Sequence, residues 1–124
     1  MTQVSAPVTG GGPVDRPHER PPTGGGLVDP DRAREVQHWF AALADATRVR
    51  ILQALSLAPE WCVGDLARAV GLSVSTLSHQ LHYLIERGIV TRRPQGRRVF
   101  YALSDEHVRH VLLDALAHVG EGKA

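Results

Sequence analysis

Apolar residues recur along this chain with two different periods. Val36, Trp39, Phe40 and Leu43 follow Asp29-Pro30, an N-cap with a first-turn proline, and predict a helix over about 30–44. Val49, Leu52 and Leu55 repeat that spacing behind the cap residue Asp45 and predict a helix over 45–57. Pro59 should end it by disfavouring helical geometry in Ala58. A short helix over 63–70 stops at Gly71, and Leu72-Ser73 make a tight connection to a longer helix over 74–87. Leu77, Leu81, Leu84 and Ile85 form the buried stripe of that longer helix. The period then shortens. IVTRR and RRVFYAL are rich in β-branched and aromatic residues and read as a hairpin over 89–103, with Arg93-Pro94-Gln95-Gly96 fitting a type I turn. A last helix is expected over 104–120. The fold class is mainly α with a β-hairpin wing: a winged helix-turn-helix in the order ααααββα.

Composition divides the chain. Residues 1–30 hold six glycines and six prolines and few large apolar groups, so 1–28 is expected to be a disordered tail. The folded domain is expected over 29–121, with 122–124 a short tail. Such a domain supports only a modest core and gains from dimerising. The single cysteine, Cys62, rules out an internal disulfide and suits a reducing, cytoplasmic location. The chain shows neither a membrane span nor a signal peptide.

The near-neutral net charge of +1 hides a local excess. From Leu66 to Ser104, six arginines stand against one acid, Glu86, a local formal charge of +5. Arg92, Arg93, Arg97 and Arg98 flank the hairpin turn and suit DNA phosphates, while Ser75, Thr76, Ser78, His79 and Gln80 on the second helix of the pair are candidate readers of base edges.

LADATRVRILQAL, WCVGDLARAVGLSVSTLSHQL and GRRVFYALSDEHV resemble the ArsR/SmtB family of bacterial winged-helix repressors, over about 35–121. CVGDLARAVGLSVSTLSHQLHYL is closest in character to the zinc-sensing, SmtB-like branch. The resemblance implies a homodimer joined through its first and last helices. It also implies that the metal-free dimer binds operator DNA and releases it when metal binds.

The last helix carries three histidines and four carboxylates between Ser104 and Glu121. His107 and His118 share a face but stand roughly 16 Å apart along a helix axis. Zinc–nitrogen bonds are about 2 Å, so a single helix cannot use both. An antiparallel copy can, with Asp105 and His107 of one subunit facing His118 and Glu121 of the other, twice per dimer. The two-fold axis should then cross near Leu112 and Leu113. Val108, Val111, Leu112, Ala115 and Val119 form an apolar stripe beside the histidines. Asp105 joins His107 only if it lies outside the regular helix, where Ser104 as N-cap would place it. His110 and Asp114 share the stripe and are alternative ligands or supports. Asp105, His107, His118 and Glu121 match the family's last-helix metal site. Two nitrogens and two oxygens favour zinc, with cobalt, nickel and cadmium as alternatives.

Cys62 and Asp65, with His18 from the tail, match positions of a second family metal site; a small half-buried thiol is the plainer reading of Cys62. Three other functions compete with metal-controlled repression. The first is a winged-helix repressor that responds to redox, to an organic ligand or to nothing; the redox form wants two thiols, and only Cys62 is present. A zinc metalloenzyme wants a general-base motif such as HExxH, and none is present. A purely structural dimerisation module has no use for the arginine-rich wing.

Overall fold

The computed structural model describes residues 26–121. One compact unit begins at Asp31 and contains every element below except the first residue of the first helix. The expected tails over 1–25 and 122–124 lie outside the described residues. Helix α1 (Pro30–Ala42) is followed by α2 (Ala46–Ser56), strand β1 (Trp61–Cys62), α3 (Val63–Val70), α4 (Val74–Glu86), strands β2 (Val90–Gln95) and β3 (Arg98–Leu103), and α5 (Glu106–Glu121). The order expected from periodicity is present, with β1 added. The strands form one antiparallel sheet in the order β1-β3-β2.

Helix α2 is the axis of the core. Asp45 caps it, accepting a hydrogen bond from the Arg48 N–H at 3.0 Å. Its residues Ile51, Leu52 and Leu55 are fully buried and Ala54 nearly so. Around them pack Leu66, Ala67 and Val70 of α3, Leu77, Leu81 and Leu84 of α4, Val90 of β2, and Val108 and Leu112 of α5. Val49 and Ile85, expected to be buried, are only half covered. Among the described residues the core contains no buried polar or charged residue.

Helix α1 behaves differently. Of its residues only Ala42 is buried, while Val36 and Phe40 are 45% and 51% exposed. Its apolar stripe is real but lies largely outside the core of its own subunit.

The helix pair α3–α4 is closed by two local devices. Gly71 takes a left-handed conformation (φ 73°), and its N–H and that of Leu72 both donate to the Ala67 carbonyl. Ser73 then caps α4, its Oγ accepting from the Thr76 N–H at 3.0 Å.

The hairpin turn sits two residues beyond its expected place. Pro94 pairs with Val99 and Gln95 with Arg98, so the loop is Gly96-Arg97 rather than Arg93–Gly96. Gly96 has φ 63°, the positive value that a two-residue hairpin turn needs and that proline cannot adopt. Pro94 is tolerated inside β2 because β2 is the edge strand.

Leu84 is fully buried where α4 meets this core. Leu84→Ala should therefore lower the free energy of unfolding by about 2–5 kcal/mol, as read from denaturant titration.

Candidate nucleic-acid interface and metal half-sites

Helix α4 presents Ser75, Ser78 and His79 to solvent, opposite the buried Leu77, Leu81 and Leu84. The other two expected readers differ in setting. Thr76 is exposed but its hydroxyl accepts a hydrogen bond from Ser73 Oγ at 3.0 Å, so it belongs to the helix cap. Gln80 is half-buried on the flank. His82 lies on the outward side and pairs with Glu86, Nε2 to Oε2 3.2 Å.

The four wing arginines are not equivalent. Arg92, Arg97 and Arg98 are exposed around the turn, and Arg98 lies 5.7 Å from the Phe100 ring. Arg93 is engaged on every nitrogen. Its Nε and Nη2 each donate to a Glu60 carboxylate oxygen at 2.7 Å, and Nη1 donates to Gln95 Oε1 at 2.6 Å. The Glu60 carboxyl is held below the usual carboxylate range chiefly by its hydrogen bonds from Arg93; burial opposes this, and the attraction of the Arg93 charge adds the smallest contribution. Glu60 was missing from the charge reading because it lies just before the basic segment, 33 residues from Arg93. No local spacing signals such a pair.

Two further arginines, unremarked in the sequence, tie elements together. Arg48 donates to the Ala42 carbonyl at 2.7 Å and stacks on Tyr83 of α4, 4.4 Å from the ring centre; Arg87 lies 4.3 Å from the same ring. Arg109 of α5 donates to the Ser56 carbonyl at the end of α2 and pairs with Glu106.

At the start of α5 the structure corrects one detail. The cap is Asp105, not Ser104: Asp105 Oδ1 accepts from the Val108 N–H at 3.0 Å, and the helix begins at Glu106. Ser104 instead donates its N–H to the Ile89 carbonyl, and its buried Oγ has no hydrogen-bond partner among the described residues. As the cap, Asp105 leaves the helical path and comes within 3.8 Å of His107 Nδ1 (Oδ1 to Nδ1). His107 is 94% exposed on its side chain. His118 is exposed in the last turns, Asp114 is exposed between them, and His110 pairs with Glu106 at 3.9 Å. Glu121 is the last residue of α5; its side chain lies outside the described residues. Among the described residues of one chain, no three His, Cys, Asp or Glu side chains are grouped as a metal site.

The apolar stripe of α5 is divided between two roles. Val108 and Leu112 are buried in their own subunit, whereas Ala115 and Val119 are exposed. Of the residues expected at a two-fold axis, only Leu113 is open, at 41%. An apolar groove of ≈ 500 Å³ runs between Phe40, Leu43 and Val49 on one side and Val111, Ala115 and Val119 on the other.

Cys62 and Asp65, three residues apart, fall in different elements rather than on one helix. Cys62 is in β1, half-buried, opposite Phe100, while Asp65 lies in the first turn of α3 and pairs with Arg68. His18 lies outside the described residues.

A tight helix pair, an exposed polar face on its second helix and an arginine-bearing hairpin define a winged helix-turn-helix DNA-binding protein. The pattern described as "Bacterial regulatory protein, arsR family" matches residues 45–92. The chain is 41% identical over 91 residues to the "Transcriptional repressor SmtB homolog" of Synechocystis, covering 73% of this chain and 68% of that protein. It is 42% identical over 87 residues to the "Cadmium resistance transcriptional regulatory protein CadC homolog" of Staphylococcus aureus, covering 70% and 72%. Its fold matches a solution structure of the homodimeric winged helix-turn-helix DNA-binding domain of "a possible ArsR-family transcriptional regulator" from Mycobacterium bovis. That match has a TM-score of 0.70 and 29% identity, covering 80% of this chain and 93% of that one. The chain belongs to the ArsR family, and is a transcriptional regulator rather than an enzyme. Among the described residues, no helix is long and apolar enough to cross a membrane.

The capping role of Asp105 separates stability from any metal role. Asp105→Ala should cost about 1 kcal/mol of metal-free stability in thermal unfolding. Asp105→Asn keeps a capping oxygen and should cost much less, while still losing the carboxylate.

Proposed function

We propose that this protein is a homodimeric, zinc-responsive repressor that holds operator DNA when metal-free and releases it when zinc binds between its subunits. The observation that carries the metal reading is the placement of Asp105. It lies off the helix and within 3.8 Å of the exposed His107, which makes the pair a half-site facing outward. His118 and Glu121 of the partner subunit would complete it, giving two nitrogen and two oxygen donors, a set suited to zinc. That donor set fits the metal; Asp105 would hold its ligand role together with its cap. Cadmium is named for one of the relatives, and cobalt, nickel and cadmium are the alternative ions for this chain. A second site at Cys62, Asp65 and His18 has less support, because Cys62 is half-buried in a strand and Asp65 is paired.

Dimerisation is supported by α1 and α5. Phe40, Ala115 and Val119 leave an apolar surface that their own subunit does not cover, and the relative from Mycobacterium bovis is a homodimer. The folded domain is taken as 29–121, flanked by tails, and a cytoplasmic location fits the single cysteine. On DNA, Ser75, Ser78 and His79 would read base edges, with Thr76 and Gln80 at the margin. Arg92, Arg97 and Arg98 would meet phosphates.

A bound zinc ion would supply a cross-link between the two α5 helices. The chain's own part is to make that cross-linked arrangement one in which the two α4 helices no longer match successive turns of the major groove. Metal then weakens DNA binding only through its differential affinity for that state, typically about 1–3 kcal/mol of coupling.

The test uses the DNA duplex that the metal-free protein enriches from a random-sequence pool. Zinc should bind at two ions per dimer and lower affinity for this duplex. DNA affinity unchanged at saturating zinc would overturn the reading, and four ions per dimer would revive the Cys62 site. His118→Ala should retain metal-free DNA binding and lose the zinc response.

A further inference from the structure

We propose that Arg93 is a positioning residue of the wing rather than a phosphate contact, and that Glu60 occupies the edge of its guanidinium that a DNA phosphate would otherwise take. Sequence places Arg93 among four wing arginines of equal standing. The structure does not. Each edge of a guanidinium can hold one carboxylate or one phosphate in a bidentate pair. The Nε–Nη2 edge of Arg93 is filled by Glu60, each contact 2.7 Å, and Nη1 on the other edge donates to Gln95 at 2.6 Å. Its carbon lies 4.9 Å from the Phe100 ring centre, which leaves the group held on a face as well as at its edges. A phosphate on the Nε–Nη2 edge would have to displace Glu60, and one on the other edge would meet a guanidinium whose charge Glu60 already offsets and whose Nη1 is held by Gln95.

The geometry of the sheet gives the pair a use. Cys62, Phe100 and Arg93 lie in one row across β1, β3 and β2. Glu60 stands just before β1, so its bond to Arg93 passes over the central strand and joins the two outer strands. It reaches β2 next to Pro94, where the edge strand has no N–H to donate. The far end of the pair is anchored beyond α2, in the connection that follows Ser56. Glu60 and Arg93 thus set the angle of the hairpin against the helical body, while Arg92, Arg97 and Arg98 stay available at the tip. Side-chain exposures of 35% for Glu60 and 49% for Arg93 make this a surface ion pair, whose contribution to folding is small. Its effect belongs on DNA docking, not on thermal stability.

The test measures the affinity of the full-length protein for the enriched duplex across a range of salt concentrations. Arg97→Ala is the reference; present in both subunits, it should flatten the log–log salt slope by about 1.8, one phosphate contact of about 0.9 lost per subunit. Arg93→Ala should weaken binding about tenfold, the size of effect seen within coupled side-chain networks, with its salt slope unchanged. Exchanging the two residues, Glu60→Arg with Arg93→Glu, should restore most of the affinity, because the staple re-forms with its polarity reversed. A slope flattened by about 1.8 in Arg93→Ala, as in the reference, would make Arg93 a phosphate contact and overturn the proposal. So would unchanged affinity in Arg93→Ala, or failure of a normally folded exchange variant to recover. If the exchange variant does not fold, the slope of Arg93→Ala decides alone. The inference rests on the wing meeting DNA: an unchanged slope in Arg97→Ala would sink that reading first, and the inference with it.

Discussion

The size of the aliphatic core governs the rest of this molecule. Ile51, Leu52 and Leu55 of α2 can be surrounded by only so many neighbours, and α3, α4, the sheet and one face of α5 fill those places. Helix α1 is left with a single buried residue, and α5 with Ala115 and Val119 in solvent. Apolar area left outside a small core remains a source of stabilisation for whatever can cover it. The same packing that fixes the reading helix therefore leaves the first and last helices incomplete. On the proposed reading a second copy completes both the hydrophobic surface and the metal site.

Arginine is used in two ways in this fold. Arg48 and Arg109 donate to carbonyls at helix ends, where main-chain acceptors lack helical partners, and Arg93 binds a carboxylate. These side chains are structural fasteners. Arg92, Arg97 and Arg98 keep their forks toward solvent, where a polyanion can reach them. A basic segment read as a single charge total conflates the two uses, because charge counts do not show which guanidinium already has a partner.

The links between the two ends of the molecule are short. Asp105 caps the helix that carries His107; one turn on, Arg109 holds the last carbonyl-bearing turn of α2. On the other side, Arg48 connects the end of α1 to Tyr83 on the reading helix. On the proposed reading, a change in how α5 or α1 meets a partner subunit would act on elements packed against the reading helix. Such contacts supply a physical connection, and the free energy passed along it is set by how differently metal binds the two arrangements.

Local chemistry determined most of the architecture by itself. Helical periodicity, the cap residues Asp45 and Ser73, and the left-handed Gly71 place the helices to within a few residues, because each acts over one or two turns of chain. The eleven-residue interval between His107 and His118 likewise bars a site within one helix on length alone. The tertiary structure decided what depends on residues distant in sequence. Pairing with β3 moved the hairpin turn to Gly96-Arg97 despite the turn-like Arg93–Gly96, since strand register is a property of two strands. It assigned Val108 and Leu112 to their own core, made Cys62 part of a strand, and gave Arg93 its partner 33 residues away. Sequence spacing reports which side chains a helix or strand can bring together; only the packed chain shows which donors and apolar faces remain free for DNA, metal or a second subunit.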